Sequence, residues 1–297
     1  TGYVPTSNVH VIIPTGATRY PEISNTGAAS KNITLNTSAT LTINKGYDLT
    51  VAGNFTNRGT VTLNSDSNEF SSIIVHGSSS GNITYNRYVN SLSGGSGWDL
   101  IGSPVNGLQI NSFATTNDSP LATGNGSGAG DVGEYAIGTY DPSNNTWANY
   151  TTSNVSTTQF TPGKGYQMAT DSGATMAFTG TIDTDATETI AIESFTDESG
   201  RRWNLISNPY PSFITIGPNS TSNTFLEVND DVIDASYVGV YGYDADNSNG
   251  SNYTIYNNTS SAKIAPGQGF FIAARSTDAA NITFKEEMQT TSTGDDF

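Results

Sequence analysis

Ile33-Thr-Leu-Asn-Thr-Ser-Ala-Thr-Leu-Thr-Ile-Asn-Lys-Gly-Tyr-Asp-Leu-Thr-Val51 carries one pattern three times. Its units Ile33-Thr-Leu-Asn36, Leu41-Thr-Ile-Asn44 and Leu49-Thr-Val51 begin eight residues apart, at 33, 41 and 49. Val61-Thr-Leu-Asn64 and Ile83-Thr-Tyr-Asn86 repeat the unit at wider spacing. Each unit alternates apolar, Thr, apolar, which sends two side chains to one face of a short strand and Thr to the other. Asn or Gly follows, as in Asn44-Lys-Gly46 and Ala52-Gly-Asn54, where the chain turns. Strands this short cannot bury a face alone, so they must stack. The pattern predicts a small β-solenoid over about residues 8–80, with an ordinary meander of hairpins as the alternative.

A longer repeat follows. Trp98-Asp-Leu-Ile-Gly-Ser-Pro104 returns as Trp203-Asn-Leu-Ile-Ser-Asn-Pro209, and Phe160-Thr-Pro-Gly-Lys-Gly-Tyr166 returns as Ile264-Ala-Pro-Gly-Gln-Gly-Phe270. Between them Tyr140-Asp141 matches Tyr243-Asp244, and after them Ala177-Phe-Thr179 stands opposite Thr283-Phe-Lys285. Four anchors in one order define a tandem duplication over roughly 82–180 and 186–288. Strand runs broken by Gly, Pro and Asn at intervals of about 8–12 residues read as a β-sandwich in each copy. The expected fold is therefore all-β: a short N-terminal solenoid (1–81), then two homologous sandwiches (82–185 and 186–297), the second ending in a tail that leads to a further domain. The anchors Trp98, Trp203, Gly163, Gly165, Gly267 and Gly269 read as architectural. Trp and Leu of Trp-x-Leu-Ile alternate inward, and the glycines permit positive φ or close backbone packing before an inward aromatic.

Composition agrees with a β-rich chain: apolar residues make up 34% and charged residues only 13%, yet 15 Tyr, 12 Phe and 3 Trp suffice for cores. With 11 Lys and Arg against 27 Asp and Glu, the net charge of −16 argues against nucleic acid and anionic membranes. It suits divalent cations, neutral glycans or solubility. The absence of cysteine removes disulfides, thiolate catalysis and Cys-based zinc sites. No apolar run reaches the roughly 18–20 residues of a membrane helix, and the opening Thr-Gly-Tyr-Val-Pro reads as a mature or trimmed start without a signal peptide.

These repeats resemble regions of large secreted Bacteroidetes proteins exported by type IX secretion. There a Leu-Thr-Ile-rich stack runs into Trp-x-Leu-Ile-Ser-x-Pro repeats with Pro-Gly-Gln-Gly-Phe-Phe, as at Pro266–Phe271 here. Ile282-Thr-Phe284, then Met288-Gln289 through Gly294-Asp-Asp-Phe297, is similar to the stretch where such proteins pass into another domain and finally a sorting domain. The resemblance implies an extracellular or cell-surface location and a modular architecture; it carries no catalytic residues.

Residues suited to catalysis are few. His10 and His76 both lie in strand patterns, no Gly-x-Ser-x-Gly elbow or Walker-type loop occurs, and Gly124-Asn-Gly-Ser-Gly-Ala-Gly130 lacks a Lys and a helical sequel. Acidic residues such as Asp183-Thr-Asp185 and Asp230-Asp231 read as solvated turns, so no enzyme is expected. Two binding features stand out. Asp244, Asp246 and Ser248 place oxygen ligands at alternate positions, as Ca²⁺ requires, although the glycine and distal Glu of an EF-hand are missing. Trp147 and Tyr150, with Tyr253 and Tyr256, flank the corresponding hairpin in each copy and are candidates for stacking on sugar. The expected role is a non-catalytic structural or adhesive segment. A carbohydrate-binding accessory region and a self-associating filament subunit are the alternatives, with neutral glycans, other surface proteins or further copies as partners.

Overall fold

The computed structural model describes residues 4–92, 97–118, 133–155, 158–194, 202–217, 223–243, 253–275 and 280–294. The molecule is all-β, 48% strand and 6% helix.

The N-terminal part is a three-sided, solenoid-like stack. One side carries strands His10–Ile13, Asn32–Leu35, Phe55–Asn57 and Ser79–Ser80. The second carries Glu22–Ile23, Thr40–Ile43 and Thr60–Asn64, and the third Ala28–Ser30, Asp48–Val51 and Ser72–Val75. Neighbours on each side are parallel, with Ile33 opposite Phe55, Leu41 opposite Val61 and Leu49 opposite Ile73. Hairpins pair antiparallel, so parallel pairing excludes the meander. The eight-residue repeat is thus the step from one side to the next. The apolar residues of each unit, among them Ile33, Leu35, Leu41, Ile43, Leu49 and Val51, fill the interior, and the threonines face out.

Strand Asn82–Val89 pairs parallel with Thr60–Asn64 and antiparallel with Ala174–Thr181. One sheet therefore runs without interruption from the solenoid into the first repeat, and position 81/82 is a change of connectivity within that sheet.

The two repeats build sheets of the same strand order and register. In the first, Asp99–Ile101, Tyr166–Met168, Glu134–Asp141 and Thr146–Thr151 lie side by side. In the second the order is Trp203–Ser207, Gly269–Ala273, Val240–Tyr243 and Tyr253–Tyr256. Ile101 faces Tyr166 as Ile206 faces Phe270, and Tyr140 faces Trp147 as Tyr243 faces Tyr253. Each repeat adds an antiparallel pair, Asn82–Val89 with Ala174–Thr181 and Thr187–Ile192 with Ala280–Lys285.

A short helix rests against each pair. Phe113 of Ile110–Thr116 packs on Phe178 at 4.5 Å between ring centroids, and Phe225 of Phe225–Val228 packs on Phe284 at 5.4 Å. An asparagine ends each helix and joins it to the strand beneath. Asn117 donates to the Phe113 and Ala177 carbonyls and accepts from the Ala177 N–H. Asn229 makes the same three bonds to Phe225 and Thr283.

The two four-stranded sheets then pack on each other through the anchor motifs. The first Pro-Gly-x-Gly loop docks on the second Trp-x-Leu-Ile strand: the Ser207 N–H donates to the Gly163 carbonyl at 2.8 Å and the Gly165 N–H to the Leu205 carbonyl at 3.2 Å. Reciprocally, the Gly102 N–H donates to the Gly267 carbonyl at 2.8 Å. The glycines serve this crossing. A side chain at Gly165 would meet Leu205 Cγ at 2.5 Å, and one at Gly269 would meet the Leu100 carbonyl carbon at 2.6 Å. Gly163 and Gly267 have φ of 72° and 64°, the left-handed region open to glycine.

The tryptophans depart from the expectation. Trp98 and Trp203 are half-buried instead of filling the core of their own copy. Trp98 packs on Ala136 and Ala169. Trp203 stands on the face that meets the other copy, with Leu100, Leu205 and Phe271, and its ring lies edge-on to Tyr241 at 4.7 Å.

Candidate functional site

Strict alternation along Thr146–Thr151 splits the predicted aromatic pair. Tyr150 turns to the core of its own copy, where its ring lies 6.4 Å from Tyr166, and burial pushes its hydroxyl up to about 12. Trp147 turns to the opposite face and remains 40% exposed. In the second hairpin Tyr256 packs against the core and Tyr253 stays 51% exposed. Two of the four candidates are therefore structural.

The remaining two are brought together. Trp147 and Tyr253 occupy equivalent positions in the two sheets, and sheet-on-sheet packing carries both to Phe271, at centroid distances of 6.3 and 6.5 Å. Tyr140 lies edge-on to Phe271 at 5.0 Å and 5.2 Å from Trp147, and Tyr243 lies 5.3 Å from Tyr253. The result is a strip of five rings along the seam between the copies, buried at Phe271 and open at both flanks. Burial raises the Tyr140 and Tyr253 hydroxyls above the usual tyrosine range, with neighbouring tyrosines as the next cause.

Amides adjoin the rings. Gln167 takes in the first copy the place that Phe271 takes in the second, and its Nε2 donates to Asn149 Oδ1 at 2.7 Å. Asn149 Nδ2 reaches Glu134 Oε2 at 3.4 Å, and the Tyr140 hydroxyl donates to Asn145 Oδ1 at 2.8 Å. Gly138 makes room for the amides, since a side chain there would meet Gln167 Nε2 at 2.9 Å. Rings with planar amides beside them can take an uncharged, hydroxyl-rich ligand by stacking and hydrogen bonding.

The calcium candidates Asp244, Asp246 and Ser248 lie outside the described residues. Their counterpart in the first copy is a self-satisfied turn: Asp141 Oδ1 accepts from the Ser143 N–H and hydroxyl at 2.8 and 2.6 Å, and these bonds hold its carboxyl below the usual range. His10 is exposed, and His76 Nδ1 lies 2.9 Å from Glu286 Oε1. Among the described residues no helix is long and apolar enough to cross a membrane. Sequence reasoning missed Phe271, Tyr140 and Tyr243 as members of the strip. The signal for Tyr140 and Tyr243 was present in the matched Tyr-Asp pair and that for Phe271 in Pro266–Phe271, but their convergence depends on how the copies pack.

Fold and strip together define a class: an all-β protein in which a solenoid-like stack leads into paired, repeated sheets with an aromatic seam between them. The chain belongs to the family described as a domain of unknown function (DUF8693), whose model matches residues 1–297. No curated protein and no solved structure matches it.

Proposed function

We propose that this chain is a non-catalytic, adhesive segment of a secreted or cell-surface bacterial protein, and that its aromatic seam holds neutral glycans. The observation that carries the reading is the convergence of Trp147 and Tyr253, one from each repeat, on Phe271, with the amides of Asn149 and Gln167 close by. A net charge of −16 favours an uncharged ligand over an anionic one. The resemblance to type IX-exported Bacteroidetes proteins supports an extracellular location. On this reading the two repeats are tandem sandwich modules, and the solenoid spaces or presents a neighbouring domain.

The test is a panel of neutral and anionic glycans followed by affinity electrophoresis. Trp147→Ala and Tyr253→Ala should each weaken retention by neutral polysaccharide about tenfold, as truncation of an anchoring aromatic does, while Tyr150→Phe should not. An empty panel, or unchanged binding in both alanine variants, overturns the glycan assignment.

A second reading, self-association, has its own support. The first solenoid coil carries a cavity of about 310 Å³ lined by Val11, Ile13, Ile33, Leu41 and Leu49. Its strand His10–Ile13 ends one sheet, with Ile12 68% exposed, and such an edge invites pairing between copies. Concentration-dependent sedimentation together with an empty glycan panel would favour it.

A further inference from the structure

Tyr210, just after the second Trp-x-Leu-Ile strand, is fully buried, and its hydroxyl has no hydrogen-bond partner among the described residues. Such an orphan is costly, and a native site supplies something to meet it. Burial first, and then the negative charge of Asp183, Glu188, Glu286 and Glu287, raise the hydroxyl above the usual tyrosine range.

Asp183 reads from sequence as a solvated turn residue, yet it is only 5% exposed. Its Oδ1 accepts from the Asp185 N–H at 2.9 Å, while its Oδ2 is buried with no hydrogen-bond partner among the described residues. Glu188, on the strand Thr187–Ile192, adjoins it, and burial first and the Asp183 carboxylate second push the Glu188 carboxyl above its usual range. It lies opposite Phe284, the place that Tyr85 takes opposite Phe178 in the first repeat. Tyr85 is satisfied there, donating to the Ser71 carbonyl at 2.6 Å. The second repeat has instead a carboxylate against a carboxylate, beside a neutral oxygen that no described residue meets. His76 is engaged with Glu286, on the rim of the cluster.

The donor set is all oxygen, which selects a hard cation over zinc or copper. Among the described residues no three His, Asp or Glu side chains converge as a metal centre. The protein therefore contributes two carboxylates and one hydroxyl, and water completes the roughly 6–8 oxygens that calcium takes. We propose that Asp183, Glu188 and the Tyr210 hydroxyl form a calcium site that joins the connection between the repeats to the second repeat. This site uses none of Asp244, Asp246 and Ser248 and is independent of glycan binding.

The test titrates the whole chain with CaCl₂ by calorimetry and compares melting in CaCl₂ with melting in NaCl of equal ionic strength. Wild type should bind calcium and melt higher in it. Glu188→Gln should melt at or above calcium-free wild type, because an amide can donate to Asp183 without adding a second charge, and should no longer respond to calcium. The Asp244→Asn, Asp246→Asn double variant should keep the response. If Glu188→Gln does not fold, Tyr210→Phe decides, with an expected loss of about tenfold or more in calcium affinity. Absence of calcium-specific binding in wild type means that water or a shared proton fills the gap and overturns the proposal. So does undiminished binding in Glu188→Gln, or in Tyr210→Phe when that variant decides.

Discussion

Arg87 is the largest side chain in the molecule with no exposed surface among the described residues. Alternation along Asn82–Val89 puts it inward with Ile83, Tyr85 and Val89, a position that normally excludes charge. It is held there by geometry: Nε donates to the Pro266 carbonyl at 3.0 Å, a terminal nitrogen donates to the Tyr88 carbonyl at 2.7 Å, and the guanidinium lies 4.9 Å from the Phe70 ring centroid. One side chain thus links the solenoid, the shared sheet and the loop of the second repeat. Arg87→Ala should destabilise by about 2–5 kcal/mol, through the cavity it leaves and the buried carbonyls it strips of donors. Denaturant midpoints measure this, and a variant that unfolds with wild type would remove Arg87 from the junction. The inward place of Arg87 is legible from period two alone; what meets it is not, because Pro266 lies 179 residues away.

At the scale of the element, the Thr146–Thr151 strand shows how alternation divides one motif into two roles. Trp147 goes to the seam and Tyr150 to the core. Burial first, and the neighbouring Tyr166 second, raise the Tyr150 hydroxyl to about 12. An unfolded tyrosine ionises near pH 10. A group whose folded value is raised contributes stability that is fully present below the unfolded value and is lost as pH rises through the folded one. Stability should therefore fall between about pH 10 and 12. Tyr150→Phe should shrink that fall, as measured by denaturant titrations at successive alkaline pH values. An identical pH profile in the variant would mean that Tyr150 is solvated in the folded state. The seam role of Trp147 was half legible, since sequence places the residue on one face of a strand but leaves open whether that face meets water or another sheet.

For the whole molecule, the repeats and the solenoid share surfaces that independent domains would keep to themselves. The sheets of the two copies meet through Leu100, Leu205 and Phe271, each less than 8% exposed. The Ile73 N–H of the solenoid donates to the Pro211 carbonyl of the second repeat at 2.8 Å. Separating the copies would expose these apolar residues and break the crossed backbone bonds at Gly102, Gly165 and Ser207. The chain should therefore unfold in one cooperative transition, with calorimetric and van't Hoff enthalpies in agreement. Two resolved transitions, one for each repeat, would show that the seam contributes little.

The solenoid-like stack, the duplication, the inward apolar sides and the outward threonines were all determined by the sequence by itself, because each follows from alternation over a few residues or from a motif that recurs. Tertiary structure alone decided why the Pro-Gly-x-Gly glycines are needed, where Trp203 points, and that Trp147 and Tyr253 share one ring. It also buried Asp183 in a segment that reads as a solvated turn. Local periodicity assigns a side chain to a face, whereas the partner of that face is chosen by packing and hydrogen-bond satisfaction across distant parts of the chain. The glycines of one repeat answer to the backbone of the other, a requirement that neither motif displays when read alone.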